Sequence, residues 1–288
     1  LTSAPVVATL SMPLDIHRDD TPVADVTSGD AAAILYTSGT TADPKGVVLT
    51  HGNLEAERAA ALAIIVVNED DVVLGVLPLF HALAQMANLL LPLSAGARVV
   101  FLDTVNSATL LDALQTRGVS VFACVPQFFY LIHQRVMTEL DRRGAVARVL
   151  FRGLLTMTSW SRNTLGVNPG PVLFAKVHRA FGPRMRMLIT GGSRFDPHIA
   201  RDLHGLGLVL LNGYGLTETS GAATVMRPAD RFTPSVGQAL PGVEIRIEPG
   251  RDATADGLTS GSGEILIRGP IVMREYFNRP DATGEVLG

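Results

Sequence analysis

Apolar and polar positions alternate along this chain in two periods. Near-continuous apolar runs at 32–39 (AAILYTSG), 46–51 (GVVLTH), 71–79 (DVVLGVLPL), 97–103 (ARVVFLD), 119–126 (VSVFACVP), 184–193 (RMRMLITGGS) and 208–215 (LVLLNGYG) read as buried strands. Between them, apolar residues at helical spacing predict helices at 51–67, 81–96, 107–118, 126–144 and 196–207. Residues 146–180 read as two helices around a turn at GVNPGP. Asn53 is the expected N-cap of the first helix, with Glu55 and Glu57 suited to the positive end of its dipole. Ser107 is expected to cap the helix that Gly118 closes, and Gly96 to end the one over 81–96. Strand–helix alternation with apolar strands predicts an α/β fold, a mostly parallel sheet flanked by helices.

The period changes after Met226. Residues 235–249 and 263–277 alternate apolar and polar positions, which predicts antiparallel strands in a small β subdomain. The polar, Gly-rich segment GRDATADGLTSGSG between them is expected to be a loop. Residues 1–30 read as an irregular lead-in with one short strand at PVVATL. The expected organisation is an α/β region over 1–225 and a β-rich region over 226–288.

Composition narrows the classes. The 288 residues are 47% hydrophobic, ample for a large core. A net charge of −3 and a pI near 6.2 offer no overall basic balance, and the sequence reads as having no basic face for nucleic acid or an anionic membrane. Cys124 is the single cysteine, set in an apolar run where a small buried hydrophobe is expected. No basic, apolar leader opens the chain, and every apolar stretch is broken before membrane-spanning length, so a soluble cytoplasmic protein is expected.

Three Gly-rich turns carry the candidate chemistry. In TSGTTADPKG, a strand runs into hydroxyls, free backbone N–H groups and Lys45, all suited to phosphate oxygens. The Walker spacing G-x-x-x-x-G-K-[ST] opening a helix is absent, because a strand follows Gly46. By spacing alone, a Thr-rich hairpin turn remains an open reading. In NGYGLTETSG, glycines permit close backbone approach, Tyr214 offers a stacking face, and Thr217 and Glu218 set a hydroxyl beside a carboxylate. LITGGSRFDP is another strand-to-Gly turn. In a parallel sheet such turns gather at the carboxyl ends of the strands, where ligands bind.

Together these stretches resemble the adenylate-forming superfamily of acyl-CoA synthetases, peptide-synthetase adenylation domains and luciferases. YTSGTTADPKG resembles its phosphate signature, NGYGLTETSG its adenine-and-magnesium signature, and GEILIRGPIVMREYFNRPDAT its late signature, in the family's order. VLPLFHALAQ and FACVPQFF fall where looser motifs belong, and the likeness runs from about Asp30 to Thr283.

The resemblance implies that a carboxylate is activated by ATP to an acyl-AMP and passed to a thiol, usually coenzyme A. It implies that Thr37, Ser38, Gly39, Thr40, Thr41 and Lys45 embrace the β- and γ-phosphates. Gly191, Gly192, Ser193, Asn212, Gly213, Tyr214 and Gly215 would line the adenine site, and Thr217 would touch the α-phosphate. Glu218 and the Thr37 hydroxyl would hold Mg²⁺, so Lys45, Thr217 and Glu218 are the expected catalytic residues. Amino-acid-activating relatives carry Asp where this chain has His81. That favours a non-amino acid, with His81 at the acyl pocket. The apolar surroundings and the length of segment 133–180 resemble long-chain fatty acyl-CoA synthetases. An aryl or amino-acid adenylating domain and a non-catalytic nucleotide-binding module are the alternatives. Two departures are Ala42 and Glu275, where Gly is usual. The family's N-terminal third, ribose-binding Asp, hinge and lysine-bearing C-terminal domain have no counterpart in the sequence, so this piece alone is expected to be weakly active or inactive.

Overall fold

The computed structural model describes residues 25–37, 44–102, 104–228, 232–249 and 263–287. The strand expected at PVVATL, the turn residues 38–43 with Ala42, and most of the segment 250–263 lie outside these.

In chain order, a hairpin of β1 (Ala31–Tyr36) and β2 (Gly46–Thr50) leads directly into α1 (His51–Leu62). Then come β3 (Val72–Gly75), α2 (Ala82–Gln85), a π-helical turn (Met86–Leu90), α3 (Leu91–Ser94), β4 (Arg98–Phe101), α4 (Ser107–Thr116), β5 (Val121–Cys124) and α5 (Pro126–Asp141). Next are α6 (Ala145–Leu165), α7 (Gly170–Leu173), α8 (Ala175–Phe181), β6 (Met187–Thr190), α9 (Pro197–Gly205) and β7 (Leu210–Tyr214). A 3₁₀ turn (Thr217–Thr219), β8 (Thr224–Val225), β9 (Gln238–Ala239), β10 (Glu244–Pro249), β11 (Gly263–Arg268), β12 (Glu275–Tyr276) and α10 (Pro280–Val286) complete the described part.

The main sheet has the order β4-β3-β5-β6-β7-β8-β9. Its first five strands are parallel, and β8 and β9 extend it antiparallel. Successive residues of the parallel strands feed two cores. Leu74, Phe122 and Leu188 join Phe129, Leu203 and Leu206 on one side. Val73, Val121, Met187 and Leu211 join Ile271 on the other. That is the double-sided burial implied by apolar runs without alternation. At the amino ends of the strands, Asp71 accepts from the Ser120 hydroxyl at 2.6 Å and Arg186 Nε at 2.8 Å. Burial pushes this carboxyl up, but Arg186, Ser120 and the Asn68 N–H together hold it at about 2.

Several expectations are corrected. Thr50, not Asn53, caps α1, because β2 passes into the helix with no loop between them. Thr50 Oγ1 accepts from Asn53 N at 3.1 Å, and Asn53 Oδ1 accepts from Thr50 N at 2.9 Å, a reciprocal box. Asn53 Nδ2 also donates to the carbonyls of Pro270 (2.7 Å) and Val272 (2.8 Å), fixing the helix start to the late signature. Thr50→Ala is expected to lower stability by about 1 kcal/mol in urea unfolding, the usual cost of a lost cap.

Asn106 rather than Ser107 caps α4, since its side chain reaches two amides at 3.0 Å. Gly118 (φ +68°) and Gly96 (φ +71°) do lie just past their helices, in the left-handed region. The helix over 81–96 is interrupted by the π turn around buried Asn88. Region 146–180 holds three helices, not two, because α7 forms in the expected turn. β10 and β11 pair antiparallel as the alternation predicts, but β12 pairs with β2.

Candidate functional site

Two of the three Gly-rich turns leave the carboxyl ends of β6 and β7, adjacent parallel strands. The first turn does not belong to that sheet. It joins β1 and β2 in a separate three-stranded sheet, order β1-β2-β12. The segment around β12 brings this hairpin to the others. Arg274 N donates to Val48 O at 3.0 Å and Phe277 N to Gly46 O at 2.7 Å, so the late signature lies along β2. Met273 N donates to Glu218 O at 2.8 Å, and Ser220 Oγ to Ile271 O at 2.8 Å, so it also holds the 3₁₀ turn.

Tyr276, which the sequence reading did not single out, completes the connection. Its hydroxyl donates to Glu218 Oε1 at 2.7 Å, and Lys45 Nζ stands 4.9 Å from its ring centroid. Lys45 and Glu218 therefore meet opposite parts of one buried aromatic side chain. Burial first, and the neighbouring Glu218 second, hold the phenol well above its ordinary range, so it remains a proton donor. A cation over a ring face is attracted by the ring quadrupole. At the mouth of the hairpin, Thr37 N donates to Lys45 O at 3.0 Å. The remaining expected phosphate ligands, Ser38, Gly39, Thr40 and Thr41, lie outside the described residues.

Beside the two sheet turns is a cavity of about 500 Å³, of a size that takes a small ligand. Gly192, Ser193, Asn212, Gly213, Tyr214 and Gly215 line it, together with Phe195, Leu216 and Phe232. Gly191 lies just behind, where an added Cβ would meet Gly213 O at 3.2 Å. The sequence reading attributed the glycines of NGYG to ligand approach. Their missing Cβ atoms instead face protein. At Gly213 a Cβ would stand 2.9 Å from Thr224 O, and at Gly215 2.4 Å from Gly221 O. These glycines let β7 and its turn close on the chain that follows. Gly192, at φ +81°, serves the backbone turn expected of it.

Lys45, Thr37, Thr217 and Glu218 do not line this cavity. His81 is exposed, with its ring 4.4 Å from that of Phe80, and is not a lining residue either. Phe232 was missed because it sits in a polar loop segment. It stacks on His204 at 4.4 Å, whose imidazole is pushed down to about 3 by burial and then by Arg162.

Behind the 3₁₀ turn lies Glu57 of α1, 1% exposed. Its Oε1 accepts from Ala222 N at 2.7 Å, while Oε2 has no partner among the described residues. Burial pushes this carboxyl up to about 8, against the smaller downward pull of the Ala222 N–H. The expectation that Glu57 serves the helix dipole is thus corrected: it points inward. Glu55 pairs instead with Arg58 at the surface.

Among the described residues no cluster of three or more His, Cys, Asp or Glu gathers for a metal. A hard cation held largely by phosphate needs only one or two protein oxygens; the Thr37 hydroxyl lies toward Lys45 O at 3.5 Å and Glu218 Oε1 accepts from Tyr276, and no contact joins the two residues among those described.

The parallel sheet, its antiparallel extension and the pocket at the ends of β6 and β7 define the fold of acyl-CoA ligase N-terminal domains. The N-terminal domain of FACL13 from Mycobacterium tuberculosis superposes with a TM-score of 0.67 at 23% identity, over 93% of this chain and 57% of that one. The family model for AMP-binding enzymes matches residues 3–277, and the chain belongs to that family. It is 31% identical over 266 residues to the peroxisomal long chain acyl-CoA synthetase 7 of Arabidopsis thaliana, covering 90% of this chain and 37% of that protein. It is 29% identical over 274 residues to the mitochondrial malonate–CoA ligase ACSF3 of Bos taurus, covering 88% of this chain and 42% of that protein. A malonyl-CoA ligase bound to methylmalonyl-CoA and AMP superposes with a TM-score of 0.67 at 28% identity, over 92% of this chain and 49% of that one. The chain thus spans about two fifths of the length of these curated relatives. No helix among the described residues is long and apolar enough to cross a membrane.

Proposed function

We propose that this chain is the nucleotide-binding core of an acid–thiol ligase that activates a fatty carboxylic acid with ATP and transfers it to coenzyme A. The observation that carries the proposal is the meeting of Lys45 and Glu218 through Tyr276, beside a pocket walled by Tyr214 and the two sheet turns. In this reading the adenine occupies the pocket against Tyr214, and Ser193 and Asn212 supply polar edges. Thr37 to Thr41 and Lys45 hold the β- and γ-phosphates. Thr217 touches the α-phosphate. Glu218 and the Thr37 hydroxyl hold Mg²⁺, which when bound offsets charge on the phosphates.

A substrate carboxylate oxygen attacks the α-phosphorus, the bond to the β-phosphate oxygen breaks, and pyrophosphate leaves. A thiolate then attacks the acyl carbonyl and AMP leaves. The protein's contribution is positioning two anions and neutralising the charge that moves onto pyrophosphate. His81, in place of a carboxylate, gives no partner to a substrate ammonium, which favours an acid without an α-amino group.

The test is ATP–pyrophosphate exchange by a protein comprising this chain and the segments its relatives carry beyond it. Exchange is expected to rise along a series of fatty acids of increasing length and to be at least about ten-fold weaker with malonate, benzoate and amino acids. Exchange with amino or aryl acids and none with fatty acids would overturn the substrate assignment. Calorimetric binding of ATP without exchange of any acid would point to a nucleotide-binding module instead.

A further inference from the structure

One wall of the cavity, residues 192–196, has little backbone support of its own. Ser193 and Arg194 are exposed, and Gly192 is left-handed at φ +81°. Among the described residues, no N–H or C=O of residues 192–195 bonds to another backbone group. The segment is tied down from α5 instead. Tyr130 Oη donates to Arg194 O at 3.0 Å and accepts from Asp196 N at 2.8 Å. A phenol can do both at once, so one side chain grips the backbone on either side of Phe195.

The rings reinforce the grip. Tyr130 lies parallel to Phe195, with 5.5 Å between centroids, and Phe129 meets Phe195 edge-on at 6.2 Å. Phe195 is thereby buried with one side toward the cavity that it lines. Past the tie, Asp196 caps α9, its Oδ1 accepting from His198 N at 2.7 Å and Ile199 N at 3.2 Å. The wall is therefore held between α5 and the start of α9. Tyr130 itself does not line the cavity.

We propose that Tyr130 is a positioning residue for nucleotide binding, holding Ser193, Arg194 and Phe195 in the shape that receives the base. The inference rests on the reading that the base of ATP occupies this cavity. A wall ordered before ATP arrives leaves less conformational entropy to be lost on binding. Released from Tyr130, the segment still closes around the base, but at a cost in affinity. Lys45, Thr217 and Glu218 lie outside the cavity lining, so the steps after binding are not disturbed.

The test uses the protein with the remaining segments of its relatives, calorimetry with ATP and exchange kinetics. Tyr130→Phe keeps the stacked ring and removes both hydrogen bonds. It is expected to weaken ATP binding by about five- to ten-fold and to raise KM for ATP equally, with kcat and KM for the acid within about two-fold. His133→Gln is the control. His133 Nε2 meets Asp202 Oδ2 at 2.8 Å, also between α5 and α9, and neither residue lines the cavity. This variant is expected to keep ATP affinity. Equal losses in the two variants would assign the effect to docking of α5 on α9 and overturn the proposal. Unchanged ATP affinity in Tyr130→Phe, with binding by the unsubstituted protein, would overturn it while sparing the cavity's assignment. No ATP binding by the unsubstituted protein would overturn both.

Discussion

Replacing Glu57 with Gln is expected to stabilise the chain by about 2–4 kcal/mol near pH 8 and to change little near pH 4.5. Among the described residues Glu57 is the carboxyl whose folded state differs most in proton affinity from an exposed one, rising from 4.5 to about 8. Below pH 4.5 both the folded and the unfolded chain hold the proton, and the side chain costs nothing through ionisation. As pH rises from 4.5 the unfolded chain ionises while the folded one keeps its proton. Stability is then lost by about 1.4 kcal/mol for each pH unit and levels off once pH passes about 8. Gln cannot ionise, and its oxygen can still accept from Ala222 N. Its amide would take the place of Oε2, which already lacks a partner, so little is added to the cost of burial. Urea unfolding of both forms at about pH 5 and pH 8 measures the effect. A difference that stays constant across that range would refute it. The consequence reaches the site, because an added Cβ at Gly221 would lie only 3.0 Å from Glu57 Oε1. Ionising Glu57 therefore places a bare charge directly behind the turn that carries Thr217 and Glu218.

The position of Glu57 marks how far local pattern reaches. Its sequence neighbours suggested a helix start rich in acid, yet Glu57 shares its inward face with Ala60 and Ala61. That three-and-four spacing was legible and would have flagged a buried carboxyl. The parallel strands and their Gly turns were legible because double-sided burial leaves continuous apolar runs ending in Gly. The order β4-β3-β5-β6-β7 was not, since which strand lies beside which is decided by long-range packing rather than by any one segment. The π turn at Met86–Leu90 leaves no compositional mark. Tyr276 was hidden for a different reason. It lies 58 residues from Glu218, and only the pairing of β12 with β2 brings it to that carboxylate and to Lys45. The signature around it was recognised as a string, while its role follows from register.

Glu218→Gln is expected to reduce pyrophosphate exchange by at least about 100-fold, and Tyr276→Phe by about 10-fold, in a protein with the remaining segments of its relatives. On the proposed reading, Gln at 218 loses the charge that holds Mg²⁺ but can still accept from the Tyr276 hydroxyl. Phe at 276 keeps the ring under Lys45 and removes the hydroxyl that fixes the carboxylate. A hydrogen bond to a charged group contributes about 1.5–3 kcal/mol, so Tyr276→Phe should also lower stability by about that much. If Tyr276 acts by positioning Glu218, the two effects are not independent. Once Glu218 has lost its charge, orienting it matters less, and the double variant should be little worse than Glu218→Gln alone. The expected coupling is about 1–1.4 kcal/mol, within the range for contacting residues. Tyr276→Leu, which also removes the ring, should add a rise in KM for ATP that Tyr276→Phe lacks, because Lys45 then loses its platform. Effects that multiply in the double variant, with unchanged KM in Tyr276→Leu, would leave Tyr276 a packing residue and separate the late signature from the phosphate site.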